Sequence, residues 1–168
     1  MDLSEQQTMS PAYGSDMDDD SGYLGPSVRC VLFMLEDEIY GIHVKKIREV
    51  LRVGAIRQVA GTPLSVLGVI NVRGVIVTVL DTRLLYEMDS TEITDYSRII
   101  IVELDEDQTV GLMVDFVMEV KDIPENKFEA LSSTKENASR YIQGIAHFQE
   151  NVIILIDVDN MFAEMTLG

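Results

Sequence analysis

The chain predicts a mainly β fold of two similar subdomains, on three observations. Its apolar residues fall in short runs rich in Val and Ile, polar turn signals separate the runs, and one strand-rich unit occurs twice. At an offset of 76 residues, Gly68-Val69-Ile70-Asn71-Val72 falls on Gly144-Ile145-Ala146-His147-Phe148. Without a gap, Val79-Leu80-Asp81 then meets Leu155-Ile156-Asp157, and Leu85-Tyr86 meets Met161-Phe162. At an offset of 70, Gly41-Ile42 falls on Gly111-Leu112, Val44 on Val114, Ile47 on Val117 and Glu49-Val50 on Glu119-Val120. A unit that recurs at fixed spacing is one supersecondary structure used twice. Where the copies disagree is where function is expected.

The runs that read as strands are Val28–Leu35, Ile39–Ile42, Val66–Val72, Val75–Leu80, Arg98–Leu104, Thr109–Val114, Val117–Ile123, Tyr141–Phe148 and Val152–Ile156. Glu36-Asp37-Glu38, Arg73-Gly74, Asp105-Glu106-Asp107 and Gln149-Glu150-Asn151 mark turns between them. Strands of this length and spacing indicate antiparallel sheets closing into small barrels. Val75–Leu80 and Val152–Ile156 are almost wholly apolar, which predicts cover on both faces, as when one lobe packs on another. Val44, Ile47, Val50 and Leu51 recur at helical spacing and predict a short helix. Asp81 and Asp157 each follow a strand and precede an apolar pattern, as N-caps do. The second copy is six residues longer between its two blocks, and the polar stretch Ser132–Arg140 is the expected loop.

The chain has 168 residues, 46% of them apolar, enough to bury a core. Residues 1–27 stand apart. Asp2, Glu5, Asp16 and Asp18-Asp19-Asp20 occur there with no Lys or Arg, which predicts a flexible acidic tail. Residues 28–165 form the folded region and 166–168 the C-terminal end. The net charge is −16, of which −10 lies outside the tail. Phosphate backbones and anionic membrane surfaces both need a basic face, so neither nucleic acid nor membrane is an expected partner. The N-terminus lacks a basic and apolar leader pattern, and no apolar run is long enough to span a bilayer. A single Cys30 can form no internal disulfide and fits a reducing cytoplasm. Self-repulsion predicts a monomer in isolation.

Chemistry is sparse. His43 and His147 have no partner at metal-ligand spacing, and one Cys cannot complete a zinc site. There is no nucleophile elbow, P-loop or dinucleotide fingerprint. Asp105-Glu106-Asp107 starts like a calcium loop but lacks the Gly and terminal Glu that follow in one. No cofactor, metal or enzymatic activity is therefore expected; a cation-binding barrel is the alternative from a different class. The nine methionines suit core filling as well as an adaptable groove. The repeat singles out Arg73: where the second copy has Gln149, the first has an arginine at a hairpin tip beside Gly74, and arginine is a preferred interface anchor. Glu49 and Glu119 match across the repeat, so either a shared structural role or a partner contact suits them.

The run Gly68-Val69-Ile70-Asn71-Val72-Arg73-Gly74-Val75-Ile76-Val77-Thr78-Val79-Leu80-Asp81-Thr82-Arg83 closely resembles the central signature of the CheW family, adaptors of bacterial chemotaxis arrays. Gly111-Leu112-Met113-Val114-Asp115-Phe116-Val117-Met118-Glu119-Val120 resembles its second signature, and Glu38–Ile42 with Ile47–Val50 its opening strands and helix. The resemblance covers about residues 28–165. It implies two five-stranded barrels of the Src-homology type, without catalytic activity. Its implied partners are the cytoplasmic tip of chemoreceptors and the regulatory domain of a CheA-like histidine kinase. The implied location is cytoplasmic, at receptor arrays beneath the inner membrane, where rings of kinase domain and adaptor form. A parallel receptor–kinase pathway, serving surface motility or second-messenger control, is the alternative within signalling. By motif, Arg73 is the hairpin arginine and Glu49 the helix-following glutamate of the partner contacts. Val72, Gly74 and Val75 belong to that hairpin, and Ile70 is expected near the groove between barrels. Thr78 and Thr82 depart from the family's usual Pro and Leu; Thr78 restores a backbone N–H, and Thr82 lightens the next helical turn.

Overall fold

The computed structural model describes residues 24–90, 92–104, 108–130 and 141–161. The tail residues 1–23, the turn at 105–107 and the expected loop at 132–140 lie outside that set. The first copy contributes β1 (Ser27–Leu35), β2 (Glu38–His43), β3 (Ile47–Arg52), β4 (Val66–Val72) and β5 (Val75–Asp81), followed by the one-turn helix α1 (Thr82–Leu85). The second contributes β6 (Arg98–Glu103), β7 (Thr109–Val114), β8 (Phe116–Pro124), β9 (Phe128–Ala130), β10 (Ile142–Phe148) and β11 (Asn151–Ile156). The mainly β class stands. One sheet has six strands rather than five, in the order β8-β1-β2-β11-β10-β9, and the other has five, β3-β6-β7-β5-β4.

Neither sheet belongs to one copy. The β1–β2 hairpin of the first copy is completed by β8 to β11 of the second, while the β6–β7 hairpin of the second is completed by β3, β4 and β5 of the first. The hairpins are joined to their hosts by parallel pairs, β2 with β11 and β5 with β7, within otherwise antiparallel ladders. The repeat thus builds two sheets by exchanging hairpins.

Matched irregularities show how closely the copies fold alike. Ladder shifts occur between Ile47 and Glu49 in β3 and near Val117 to Glu119 in β8, and again between Val66 and Gly68 in β4 and Ile142 and Gly144 in β10. Each of the last two ends on a glycine where a neighbouring segment crosses. A Cβ on Gly68 would lie 2.2 Å from the Arg57 carbonyl oxygen, in a left-handed backbone with φ +150°. One on Gly144 would lie 2.7 Å from that of Glu129. Arg57 closes the five-stranded sheet by bridging Val69, as β9 closes the other by pairing with β10.

Three apolar clusters follow from this topology. Cys30, Leu32, Ile123, Ala146, Phe148, Ile153 and Leu155 fill the six-stranded sheet. Val77, Val79, Ile99, Ile101 and Met113 fill the five-stranded one. Between the sheets lies the largest, with Phe33, Tyr40, Ile42, Leu80, Ile100, Leu112, Ile156 and Met161 among its members. Strand β5 sends Val77 and Val79 into one core and Leu80 into another, as its unbroken apolar sequence predicts. Thr78 pairs with Val69 on one side and Val110 on the other, a central position that proline could not fill without losing a ladder bond.

The expected helix around Val44–Leu51 is corrected: only Val44–Lys46 forms a 3-10 turn, and Ile47–Arg52 is a strand paired with β6. The segment satisfies both periods, because Ile47, Glu49 and Leu51 alternate as well. Burial follows the alternation, and tertiary pairing decides it. Both N-caps are present. The Asp81 carboxylate accepts from the N–H groups of Arg83 and Leu84, and that of Asp157 from Asn160, at the head of a helical turn over 158–161.

Two ion pairs tie the copies together at matched places. Arg83, just inside α1, donates through Nε and Nη2 to Asp115 between β7 and β8, at 3.0 and 2.5 Å, and through Nη1 to Glu36 at the β1–β2 turn. In the other copy the polarity is reversed: Asp159, the repeat mate of Arg83, accepts from Lys46 at 2.9 Å.

Candidate interaction site

Val72 and Val75 face each other at the end of the β4–β5 ladder, leaving a two-residue turn of Arg73 and Gly74. Both have positive φ, +49° and +89°, the type I′ geometry whose twist matches flanking strands. Gly74 meets it freely, and Asn71 reinforces it by accepting the Gly74 N–H on Oδ1 at 2.8 Å. Arg73 holds its left-handed conformation without glycine's freedom, which fixes its side chain at the tip.

The Arg73 guanidinium reaches β3 and donates from Nη2 to Glu49 Oε2. Glu49 stands beside a ladder shift, and its side chain is 21% exposed against 72% for Arg73. The bond from Arg73 holds the Glu49 carboxyl below its ordinary value, burial working against it. Arg73 is raised by the same bond. Both groups therefore stay charged through neutral pH and well to the acid side of it. The result is a fixed, solvent-facing ion pair, not an acid–base catalyst.

Apolar surface surrounds the pair. Val75 is 57% and Ile76 62% exposed, and Val50 stands out from β3. Val72 and Arg73 form a ridge between two clefts. The smaller, about 130 Å³, runs past Glu49 and Arg48 toward Thr109. The larger, about 330 Å³, has Leu51, Ile70 and Ile99 in its wall and Arg52 at its edge. Charged anchors set among exposed aliphatic groups characterise protein-binding surfaces rather than small-molecule sites.

The structure gathers Glu49, Val72, Arg73, Gly74 and Val75 into one corner. Ile70 packs partly buried against the core within the five-stranded sheet and lines the larger cleft. The seam between the sheets opens a cavity of about 510 Å³ bordered by Tyr40, Leu85, Tyr86, Met88, Tyr141 and Ile154. There the Tyr86 hydroxyl donates to the Tyr141 carbonyl at 3.0 Å, and the rings of Tyr40 and Tyr86 lie 5.5 Å apart. The sequence reading missed Ile76. Its apolar run suggested burial, but the first two residues of β5 project beyond the core, as Val152 does from the matching strand.

The second hairpin has the same shape and different chemistry. Gln149 and Glu150 form its turn, with φ +53° and +66°. Glu119, the repeat mate of Glu49, is 52% exposed and has Lys121 4.0 Å away instead of an arginine. His147 comes within 3.5 Å of Glu129. Among the described residues no cluster of three or more His, Cys, Asp or Glu could hold a metal ion, and no helix is long and apolar enough to cross a membrane.

Residues 29–165 match the family model described as CheW-like domain. The chemotaxis protein CheW of Klebsiella aerogenes is 28% identical over 140 residues, 82% of this chain and 84% of that protein. The chemotaxis protein CheW of Helicobacter pylori is 25% identical over 160 residues, 95% of this chain and 93% of that one. Among solved structures, the scaffolding protein CheW from Thermoanaerobacter tengcongensis superposes with a TM-score of 0.76 at 33% identity, covering 81% of this chain and 92% of that chain.

Proposed function

The chain belongs to the CheW-like domain family, whose members are non-catalytic scaffolds of chemotaxis signalling, and from that membership we propose how this chain couples its partners. It bridges the cytoplasmic tip of chemoreceptors and the regulatory domain of a CheA-type histidine kinase, and the Arg73 corner is one of its contact surfaces. The observation that carries the assignment of the surface is the asymmetry between two hairpins of one shape. Only the first holds an arginine–carboxylate pair among exposed aliphatic residues. Shared folding needs explain what the hairpins have in common. They do not explain what only one has.

Separate surfaces on two sheets suit a bridging protein, since each sheet offers its own strands and clefts to a different partner. Many weak copies of such contacts gain strength together in an array at the inner face of the membrane. The test is co-sedimentation of the full chain with its cell's CheA-type kinase and receptor signalling fragments. A three-part assembly that raises kinase phosphorylation is the expected result. Failure to associate with any CheA-type kinase of that cell would overturn the reading.

A further inference from the structure

Arg52, at the edge of the larger cleft beside the Arg73 hairpin, sits in a charge arrangement that folding does not account for. Arg52 and Arg98 stand directly opposite each other across the β3–β6 ladder. Like charges in that relation are destabilising. Among the described residues neither forms an ion pair with a carboxylate; Arg98 donates only to the carbonyls of Asp95 and Ser97. The acidic residues of β3 and β6, Glu49 and Glu103, are already held by Arg73 and Arg48. In a chain with 29 carboxylates against 13 cationic side chains, two arginines are thus paired across one ladder with no carboxylate partner among the described residues. Between Arg52 and Arg73 the cleft wall is aliphatic: Leu51, Ile70, Val72 and Ile99.

We propose that this cleft takes a partner segment in which an exposed apolar side chain is flanked by carboxylates, with Arg52 setting the specificity. The apolar side chain enters between Leu51, Ile70, Val72 and Ile99, and its flanking carboxylates meet Arg52 on one side and Arg73 on the other. Arg52, with no carboxylate partner among the described residues, is free to take one from a partner in paired geometry, and Arg73, paired with Glu49 but 72% exposed, has donors left for a second. A phosphate backbone does not fit as occupant, because the surrounding chain is strongly acidic and the cleft wall apolar. The inference rests on the adaptor reading and names the chemistry of one of its contacts.

The test compares the full chain with Arg52→Glu, Arg52→Ala and Arg52→Lys, using the cognate kinase regulatory domain and the receptor tip fragment as separate probes. Arg52→Glu is expected to weaken one probe by about tenfold or more, Arg52→Lys by less, and Arg52→Ala to flatten the salt dependence of that binding. Thermal midpoints of Arg52→Glu and Arg52→Ala should match or exceed the parent's, since repulsion from Arg98 is relieved. Binding and stability moving in opposite directions separates a specificity residue from a structural one. Parent-like binding of both probes by Arg52→Glu would overturn the inference and leave the adaptor reading intact. Tighter binding would overturn it too, since the chain's own acidic N-terminal residues would then be the cleft's occupant. Loss of both probes by the parent chain would bring down the adaptor reading and this inference together.

Discussion

The β4–β5 and β10–β11 hairpins are the same structure with different chemistry at the tip. Both close on two residues of positive φ, both carry a ladder shift at the far end, and both place a glycine under a crossing backbone. Yet one tip is Arg73-Gly74, ion-paired to Glu49, and the other is Gln149-Glu150, whose matched glutamate, Glu119, has a lysine 4.0 Å away as its only ion-pair partner among the described residues. The shared features are those the fold requires. The unshared ones are left for recognition, and a repeat inside one chain makes the separation without any second protein.

The glycines break the comparison hardest. Gly68→Ala forces a Cβ into the Arg57 carbonyl and a left-handed backbone at once, and is expected to cost roughly 3 kcal/mol or more in chemical denaturation. Gly144→Ala meets a looser contact and should cost less; an equal or larger loss would show that the closures of the two sheets are not ranked as their geometry says. The matched ion pairs come next. Arg83→Ala leaves the largely buried Asp115 without its partner and should cost about 1–3 kcal/mol. Lys46→Ala removes a pair with an exposed partner and should stay under about 1 kcal/mol. Comparable losses would mean the central tie is no stronger than the peripheral one.

Recognition should track only the first tip. Arg73→Ala is expected to weaken partner binding about 10- to 100-fold with an unchanged melting midpoint, whereas Gln149→Ala should leave both as they are. An effect of the opposite sign belongs to Thr82, buried where its hydroxyl finds no hydrogen-bond partner among the described residues. Thr82→Val should stabilise by about 1 kcal/mol in a melting experiment, and a loss of stability would mean that the hydroxyl is satisfied after all. Opening of the six-stranded sheet can be read separately through Cys30. Burial, with Asp122 adding to it, pushes the thiol up to about 11. Alkylation at pH 8 should therefore proceed only as fast as that sheet opens.

Much of this fold is legible in the sequence. Val66–Val72 is bounded in the chain as in the structure, and both aspartate caps sit where the strand-to-helix switch places them. Less legible is which strand pairs with which. A repeat specifies the elements, but the exchange of hairpins depends on parallel contacts between β2 and β11 and between β5 and β7, which leave no local pattern. At Val44–Leu51 the local pattern itself misleads, because the spacing fits a helix while the alternation fits a strand. The Arg73 tip stands out by its difference from Gln149. Its bond to Glu49, 24 residues earlier, does not, nor does the facing pair Arg52 and Arg98, since long-range register decides both.

The central claim, that the Arg73 corner is used for recognition and not only for holding a hairpin, is met most directly by a charge exchange. Glu49→Arg combined with Arg73→Glu keeps an ion pair across the same two positions while reversing what each presents to a partner. Binding of the kinase regulatory domain and of the receptor fragment is measured beside the parent and both single variants, with thermal melting as the control. The expected result is a double variant that melts like the parent and binds at least one partner about tenfold or more weakly. Parent-like binding of both partners by the exchanged pair would contradict the claim, leaving Arg73 and Glu49 as a clasp for the turn.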